Sequence, residues 1–168
     1  MTNEETKKCY IFNMLDELYS IIVKTEEPLY NLKLIDNAYY YGYNHKHINE
    51  PLPSVPLSKT QIDKVLYADI MTMTRRLREL HPLVSPVVIC ALTSFCLQVG
   101  FDTYMKSTLK ELVSSDTNIL DISSSLGEWT MKDGKENEKF RRRRMWEIGV
   151  MCNQEKDLDD YISIWGCI

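Results

Sequence analysis

The sequence predicts an all-α protein, a bundle of about six to eight helices around a central apolar helix at residues 84–99. Three observations predict this fold. Apolar residues recur at spacings of three and four along much of the chain, one nearly uncharged stretch opens with helix-start signals, and no segment alternates as a half-buried strand does. The length of 168 residues fits a single domain, residues 1–168, and suffices for a hydrophobic core.

The composition is that of an ordinary globular protein. Hydrophobic residues make up 44% and charged residues 26% of the chain, which excludes an intrinsically disordered protein. The first residues are polar and charged, so we expect no signal peptide. The cysteine count is odd and no CxxC pair occurs, which predicts free thiols and a cytoplasmic or nuclear location. The five cysteines are Cys9, Cys90, Cys96, Cys152 and Cys167.

The first third of the chain predicts one helix and a long irregular segment. An amphipathic helix is expected from about Glu5 to Val23, because its apolar residues share one face. The tyrosine-rich residues 28–44 fit either a short helix or an aromatic loop. Residues 44–58 contain three prolines, each of which disfavours helix at the residue before it, and predict a Pro-rich connector that is either a disordered loop or a docking segment. These prolines are Pro51, Pro53 and Pro56.

The clearest helix is predicted from about Lys59 to Leu80. Ser58 is a suitable N-cap, and Gln61 stands three residues later, as in a capping box. Apolar residues then step by three or four along one face, at Ile62, Leu66, Ile70, Met73, Leu77 and Leu80. The stripe is shorter than four heptads, which favours a core helix over a coiled coil.

The central apolar helix is predicted from its boundaries and from its lack of charge. Ser85 supplies a capping hydroxyl, Pro86 suits the first helical position, and Gly100 supplies a stop. The apolar run is shorter than the roughly 20 residues that a membrane-spanning helix needs. We therefore expect a buried core helix and no transmembrane segment.

The second half of the chain predicts three more helices. Two lie at about Thr103–Ser114 and Asn118–Thr130, and a basic helix lies at about residues 136–152. A charged turn around Gly134 precedes the basic helix. The last sixteen residues are acidic and then apolar, so we expect them to dock onto the body.

No catalytic constellation is recognisable in the sequence. His45 and His47 are close enough to share a metal ion, but no third ligand stands at a recognisable spacing, so we predict no metal site. Phosphate-binding and dinucleotide-binding glycine motifs and a GxSxG motif are absent, and no cofactor is predicted. The adjacent Asp159 and Asp160 are interpreted as solvated carboxylates. The sequence therefore predicts a non-enzymatic protein.

The arginines are the one anomaly of a chain whose formal net charge is -4. All seven lie in two clusters, whereas the lysines are scattered. The planar guanidinium grips phosphate or carboxylate with two hydrogen bonds. We predict an anion- or nucleic-acid-binding site formed by Arg75, Arg76, Arg78, Lys139, Arg141, Arg142, Arg143 and Arg144.

Two other interpretations of the arginines stay open. On a helix, four consecutive residues fan through about 300°, so some of the guanidiniums must lie near the core edge. They would then pair with the acidic tail, at Asp157, Asp159 and Asp160. A basic run is also typical of a nuclear import signal.

Two stretches resemble known families. HPLVSPVVICALTSF, residues 81–95, resembles the entry to the central helix of orthomyxovirus matrix proteins, all-helical proteins that contact ribonucleoprotein through basic clusters. The order of predicted helices and the stretch from Asp121 to Trp129 resemble Bcl-2-like proteins, although the spacing within that stretch is one residue longer. We carry no site residues over from either family.

The function predicted from these observations is that of a non-enzymatic helical binding or assembly protein, with a viral source as one interpretation. Its arginine clusters would bind RNA, ribonucleoprotein or an acidic membrane surface. The alternative is a Bcl-2-like bundle that holds a partner protein's amphipathic helix in a hydrophobic groove, as an inhibitor of apoptosis or host signalling. Oligomerisation is compatible with both.

Overall fold

The computed structural model describes residues 15–115 and 117–152. Helical residues 15–25 are the described part of the first helix, α1. The elements that follow are β1 (Leu29–Ile35), β2 (Ala38–Gly42), β3 (His45–Lys46), α2 (Lys59–Leu80), α3 (Pro86–Val99), α4 (Phe101–Met105), α5 (Thr108–Ser114), α6 (Ile119–Gly127), β4 (Met131–Lys132), β5 (Lys135–Glu136) and α7 (Glu138–Cys152).

The first correction concerns the fold class, because the chain is α+β and not all-α. Strands β1, β2 and β3 form an antiparallel sheet in that order, within the segment interpreted as a short helix or an aromatic loop. Ile35 pairs with Ala38, so a two-residue turn joins β1 to β2. The turn residues Asp36 and Asn37 have φ of 48° and 61°, the backbone that a tight hairpin requires and that these residue types tolerate.

The predicted Pro-rich connector includes the last strand of the sheet. Strand β3 occupies His45–Lys46, and residues 47–58 continue to α2 without helix or strand. The connector is anchored at its end, because Leu57 is buried and its N–H donates to the carbonyl of Tyr30 at 2.7 Å. The charged turn around Gly134 is a second hairpin, formed by β4 and β5.

Helix α2 confirms the clearest of the sequence predictions. Ser58 caps it in the extended conformation, and its side chain and that of Gln61 form both bonds of a capping box. The residues of the predicted stripe that are buried are Ile62, Leu66, Ile70 and Leu77. This face packs α2 against α3 and the sheet.

Helix α3 is the central helix of the body, as predicted. Every residue from Val87 to Cys96 is buried, and Ser85, Pro86 and Gly100 play their expected capping roles. One apolar cluster joins α3 to α1, the sheet and α2, and a second joins it to α4, α5 and α6. Helix α7 contributes to both clusters, so α3 and α7 together link the sheet side of the molecule to the helical side.

The remaining helices differ from the prediction mainly in length. The helix expected at about Thr103–Ser114 is divided into α4 and α5, because the Ser107 side chain caps a new helix at the break. Helix α6 ends at Gly127. Within the described residues, no helix is long and apolar enough to cross a membrane.

The cysteine prediction is tested at three positions. In the described part of the chain, Cys90, Cys96 and Cys152 are in the reduced thiol form and make no disulfide, and burial raises the pKa of Cys90 to about 12. Cys9 and Cys167 lie outside the described residues.

Candidate active site

The candidate site lies where α1 ends and the chain turns into the sheet. Glu26 directly follows the last helical residue of α1, and its N–H donates to the carbonyl of Ile22 at 2.8 Å. Its side chain is 14% exposed. The carboxylate is therefore mostly shielded from water yet still open to it on one side.

Three side chains from three different elements hold the Glu26 carboxylate. Gln98, in the last turn of α3, donates from Nε2 to Oε1 at 3.0 Å. Asn44, in the turn between β2 and β3, donates from Nδ2 to Oε2 at 3.2 Å. Arg143 of α7 places Nη1 3.6 Å from Oε1. The carboxylate is fixed from the sheet and from both central helices.

Arg143 is itself buried and fully engaged. Its Nε donates to Ser94 Oγ at 3.0 Å, its Nη2 to the Ser94 carbonyl at 2.6 Å, and its Nη1 to Thr25 Oγ1 at 3.4 Å. Burial lowers the pKa of Arg143 to about 10, opposed by the nearby carboxylates of Glu147 and Glu26. It remains a cation at neutral pH and supplies a fixed positive charge beside Glu26.

Arg144 holds Gln98 and Glu147 in place. Its Nε and Nη2 donate to the two carboxylate oxygens of Glu147 at 2.6 and 2.7 Å, in a region where both side chains are buried. Its Nη2 also donates to Gln98 Oε1 at 3.1 Å, and its guanidinium carbon lies 4.7 Å from the centre of the Phe95 ring. Because Arg144 occupies Oε1 of Gln98, the amide nitrogen of Gln98 must face Glu26.

A small cavity of about 30 Å³ adjoins the Glu26 carboxylate. Its polar lining comes from Glu26, Asn44, Asp69 and Arg143. A water molecule needs roughly 10–15 Å³ and two to four polar partners, so the cavity has room for one or two. Its apolar lining comes from Ile22, Tyr43, Leu66 and Leu97.

A second polar cluster ties the sheet and the connector to α2. His45 Nδ1 lies 2.9 Å from both oxygens of Asp69, and its Nε2 lies 2.9 Å from Glu50 Oε1. Burial lowers the pKa of His45, but the hydrogen bonds and charges of Asp69 and Glu50 outweigh it and leave the pKa raised. Tyr41 donates to the same Glu50 oxygen at 3.0 Å, and His47 lies 3.5 Å from it. The described residues contain no group of three or more potential ligands that could hold a metal ion.

The structure divides the predicted arginine site between interior and surface. Arg143 and Arg144 are each 1% exposed, so the hypothesis that they form an exposed anion-binding surface is wrong. Their partners are Glu26 and Glu147, and the tail residues Asp157, Asp159 and Asp160 lie outside the described residues. Their guanidiniums serve a buried network, where each needs a nearby carboxylate to offset the cost of desolvation.

The other predicted residues are on the surface. Arg141 and Arg142 each lie 2.9 Å from Glu138, whose pKa their hydrogen bonds lower to about 2. Lys139 lies 3.5 Å from Glu27. Arg75, Arg76 and Arg78 are exposed, and the Arg76 guanidinium stacks 3.6 Å from the centre of the Phe101 ring. Anion binding by these six residues stays a prediction.

Sequence reasoning missed the three residues at the centre of the site: Glu26, Asn44 and Gln98. One signal was present in the basic helix. Glu147 stands three and four residues after Arg144 and Arg143, next to the apolar Trp146 and one turn before Val150, which places both arginines on the buried face with an acidic partner. Arginines and a glutamate on the buried face of one helix indicate buried ion pairs.

The comparisons with known proteins give one family and several solved structures of similar fold. The profile of the phage lysozyme family matches residues 31–147. A search of proteins with curated functions gave no match. The matched range begins after Glu26, so the evidence for that residue is its geometry.

Three solved structures have a similar fold. The muramidase domain of SpmX from Asticaccaulis excentricus matches with a TM-score of 0.66 and 18% identity, over 81% of this chain and 95% of that one. The endolysin from Escherichia coli O157:H7 phage FAHEc1 matches with a TM-score of 0.64 and 15% identity, over 84% and 94%. The active form of the P1 phage endolysin Lyz matches with a TM-score of 0.62 and 14% identity, over 84% and 85%.

These matches overturn the functional predictions. The family match contradicts the prediction of a non-enzymatic protein that binds RNA, ribonucleoprotein or an acidic membrane surface. The Bcl-2-like alternative is contradicted by the same match and by the sheet, which an all-helical bundle lacks. The resemblance to matrix proteins, which rested on residues 81–95 and implied an all-helical fold, is wrong for the same reasons.

Proposed function

Because the chain belongs to the phage lysozyme family, we propose that it is a glycoside hydrolase that cleaves the glycan strands of peptidoglycan, with Glu26 as the general acid. Glycosidases protonate the oxygen of the scissile bond with a carboxylic acid while a second carboxylate assists on the other side of the sugar. The acid must be shielded enough to keep a proton and open enough to reach the substrate.

The geometry of Glu26 supports its assignment over other shielded carboxylates. Glu147 is fully buried and both of its oxygens accept from Arg144, so it reaches no substrate. Asp69 is tied to His45 through both of its oxygens. Glu26 combines 14% exposure with a carboxylate fixed by three elements, and it stands where the sheet meets the helical body. The assignment of Glu26 as the general acid rests on this combination of partial exposure and fixed position.

Asp36 is our candidate for the second carboxylate. It is exposed at the tip of the hairpin that follows Glu26, and its φ of 48° lies in the left-handed region. Asparagine and glycine serve such a turn equally well, so the turn does not require a charge. The carboxylate is therefore available for chemistry that the hairpin presents to a bound glycan.

The arginine network explains how the site is held in place. Arg143 holds a positive charge beside Glu26, and Arg144 orients Gln98 toward it. Both arginines are braced by Glu147, so that the donors need not reorganise when a substrate binds. Glu26 would give its proton to the glycosidic oxygen as the bond from that oxygen to the sugar carbon breaks. In the completed hydrolysis the oxygen of a water molecule forms the new bond to that carbon, and a proton of that water returns to the site.

The test is hydrolysis of purified peptidoglycan, followed by loss of turbidity and by the appearance of reducing ends. Glu26→Gln keeps the shape and removes the acid, and should lower the rate by about 10²–10⁴-fold. Glu27→Gln is the matched control, because Glu27 is the next residue and its side chain is 90% exposed. A wild-type protein that releases no reducing ends refutes the hydrolase, and an active Glu26→Gln refutes the role of Glu26.

A further inference from the structure

Asn44 occupies a backbone position at which glycine is the least strained residue. It lies in the short turn between β2 and β3, and its φ is 63°. Asparagine tolerates this conformation better than most residues, but glycine adopts it without cost. The side chain at this position is exposed, and its amide reaches across to Glu26. Its contact therefore lies on the open side of the carboxylate.

The two oxygens of Glu26 have different surroundings. Oε1 faces Gln98 and the cation of Arg143, whereas the donor to Oε2 is Asn44. Hydrogen bonds and positive charge favour the unprotonated form of the oxygen that they contact. A proton on Glu26 therefore resides on Oε2, the oxygen that Asn44 covers.

The side-chain amides of Gln98 and Asn44 differ in their freedom to rotate by half a turn. If the Gln98 amide rotated, its nitrogen would face the Arg144 guanidinium, two donors against each other. Asn44 is exposed, and rotation of its amide exchanges a donor for an acceptor at nearly the same position. Asn44 can thus donate Nδ2–H to an ionised Oε2 and accept the O–H of a protonated one through Oδ1.

We propose that Asn44 is a positioning residue that bonds Oε2 of Glu26 in both protonation states and so keeps the acidic proton on Oε2 while the carboxyl group is protonated. The inference rests on the proposed function. When the proton passes from Oε2 to the glycosidic oxygen and the glycosidic bond breaks, the Asn44 amide turns and donates to the carboxylate that remains. Asn44 acts through Glu26 and makes no contact with the glycosidic oxygen or the sugar carbon.

The charged groups around Glu26 determine which way a substitution at Asn44 should shift the pH dependence of activity. Arg143 approaches from α7, Asp69 lines the same cavity from α2 and is paired with His45, and Gln98 from α3 is neutral. Glu147 lies behind, with an oxygen 4.0 Å from Arg143 Nε. Asn44→Asp adds a negative charge at the distance of the present hydrogen bond, and two adjacent carboxylates tend to share one proton.

The experiment compares Asn44→Gly and Asn44→Asp with the wild type, using soluble peptidoglycan fragments so that kcat and KM are separated over pH. In Asn44→Gly we expect kcat to fall by roughly tenfold with KM and melting temperature retained, because glycine fits the turn. In Asn44→Asp we expect the alkaline limb of the pH profile to move upward by about one unit. The matched control is Asn49→Gly, since Asn49 is also exposed with φ of 55° and should leave both quantities unchanged.

Outcomes that overturn the inference differ from those that overturn the proposed function. If wild type is active and Glu26-dependent, but both Asn44 variants match it in kcat and pH profile, Asn44 positions nothing. An equal loss in Asn49→Gly would assign the effect to loop conformation and also reject the inference. An inactive wild type refutes the hydrolase and, with it, the acid whose proton Asn44 would position.

Discussion

Replacing Arg144 by methionine tests the buried network most directly. The substitution keeps an unbranched, flexible side chain that fills the inner part of the same space but removes two short hydrogen bonds to Glu147, one to Gln98 and the contact with Phe95. Glu147, which is 0% exposed, is left without its bidentate partner. Breaking a buried ion pair from one side typically costs about 3–5 kcal/mol.

The structure places the expected loss at the lower end of that range. Arg143 Nε remains 4.0 Å from a Glu147 oxygen and offsets part of the stranded charge. We therefore expect a loss of about 3 kcal/mol in the free energy of unfolding. With a urea dependence of about 1–3 kcal/mol per molar for a small protein, the unfolding midpoint should fall by at least about 1 M.

The same arginine run supplies the control. Arg142 is 67% exposed and bonds only at the surface, to Glu138, which is 54% exposed. Arg142→Met should cost no more than about 1 kcal/mol. Adding Glu147→Met to Arg144→Met should recover stability, since no buried charge is then unpaired. Equal and small midpoint shifts for Arg142→Met and Arg144→Met would show that the buried pair does not behave as the structure implies.

Three further predictions address the core, the polar cluster and the second carboxylate. Leu92→Ala should lower the free energy of unfolding by about 2–5 kcal/mol, because Leu92 is fully buried in α3, and an unchanged urea midpoint would contradict this packing. Because the pKa of His45 is raised in the folded protein, its bonds stabilise the fold fully below about pH 6.5 and less as pH rises through the folded-state pKa. The free energy of unfolding of His45→Asn should lack that pH dependence, and an unaltered dependence would exclude His45 as its source. Asp36→Asn should abolish peptidoglycan hydrolysis without unfolding the hairpin, whereas Asp133→Asn, at φ of 53° in the other hairpin, should leave activity intact; full activity in Asp36→Asn would remove it from the mechanism.

The helices were predictable because their signals are local. Ser58 and Gln61 stand three residues apart, and Ser85 and Pro86 are adjacent, so each start can be read from a few neighbouring residues. The sheet gives a weaker signal. Strand β1 has three exposed residues in succession, from Lys33 to Ile35, and two of them are apolar, so its apolar residues do not mark one buried face.

The site was not predictable by the same means, because it is assembled from distant segments. The bond between Glu26 and Gln98 joins residues 72 apart in sequence, and that between Thr25 and Arg143 joins residues 118 apart. No spacing rule relates such positions in a single sequence. Asp36 and Asn37 do carry a local signal, since both residue types suit a two-residue hairpin turn. The tyrosine-rich residues after them match a short helix or an aromatic loop only when that turn signal is left out.

The arginine run shows why a charge count along the chain is a poor guide to a surface. Residues 132–144 contain seven positive and three negative side chains, an apparent excess of four positive charges. Helical geometry turns Arg143 and Arg144 inward with Trp146 and Glu147, where Glu26 and Glu147, from outside that window, halve the excess to two. Arg141 and Arg142 face outward and share Glu138. Two of the four guanidiniums are thus committed to holding an acid in the interior, and the molecule displays far less positive charge than its sequence suggests.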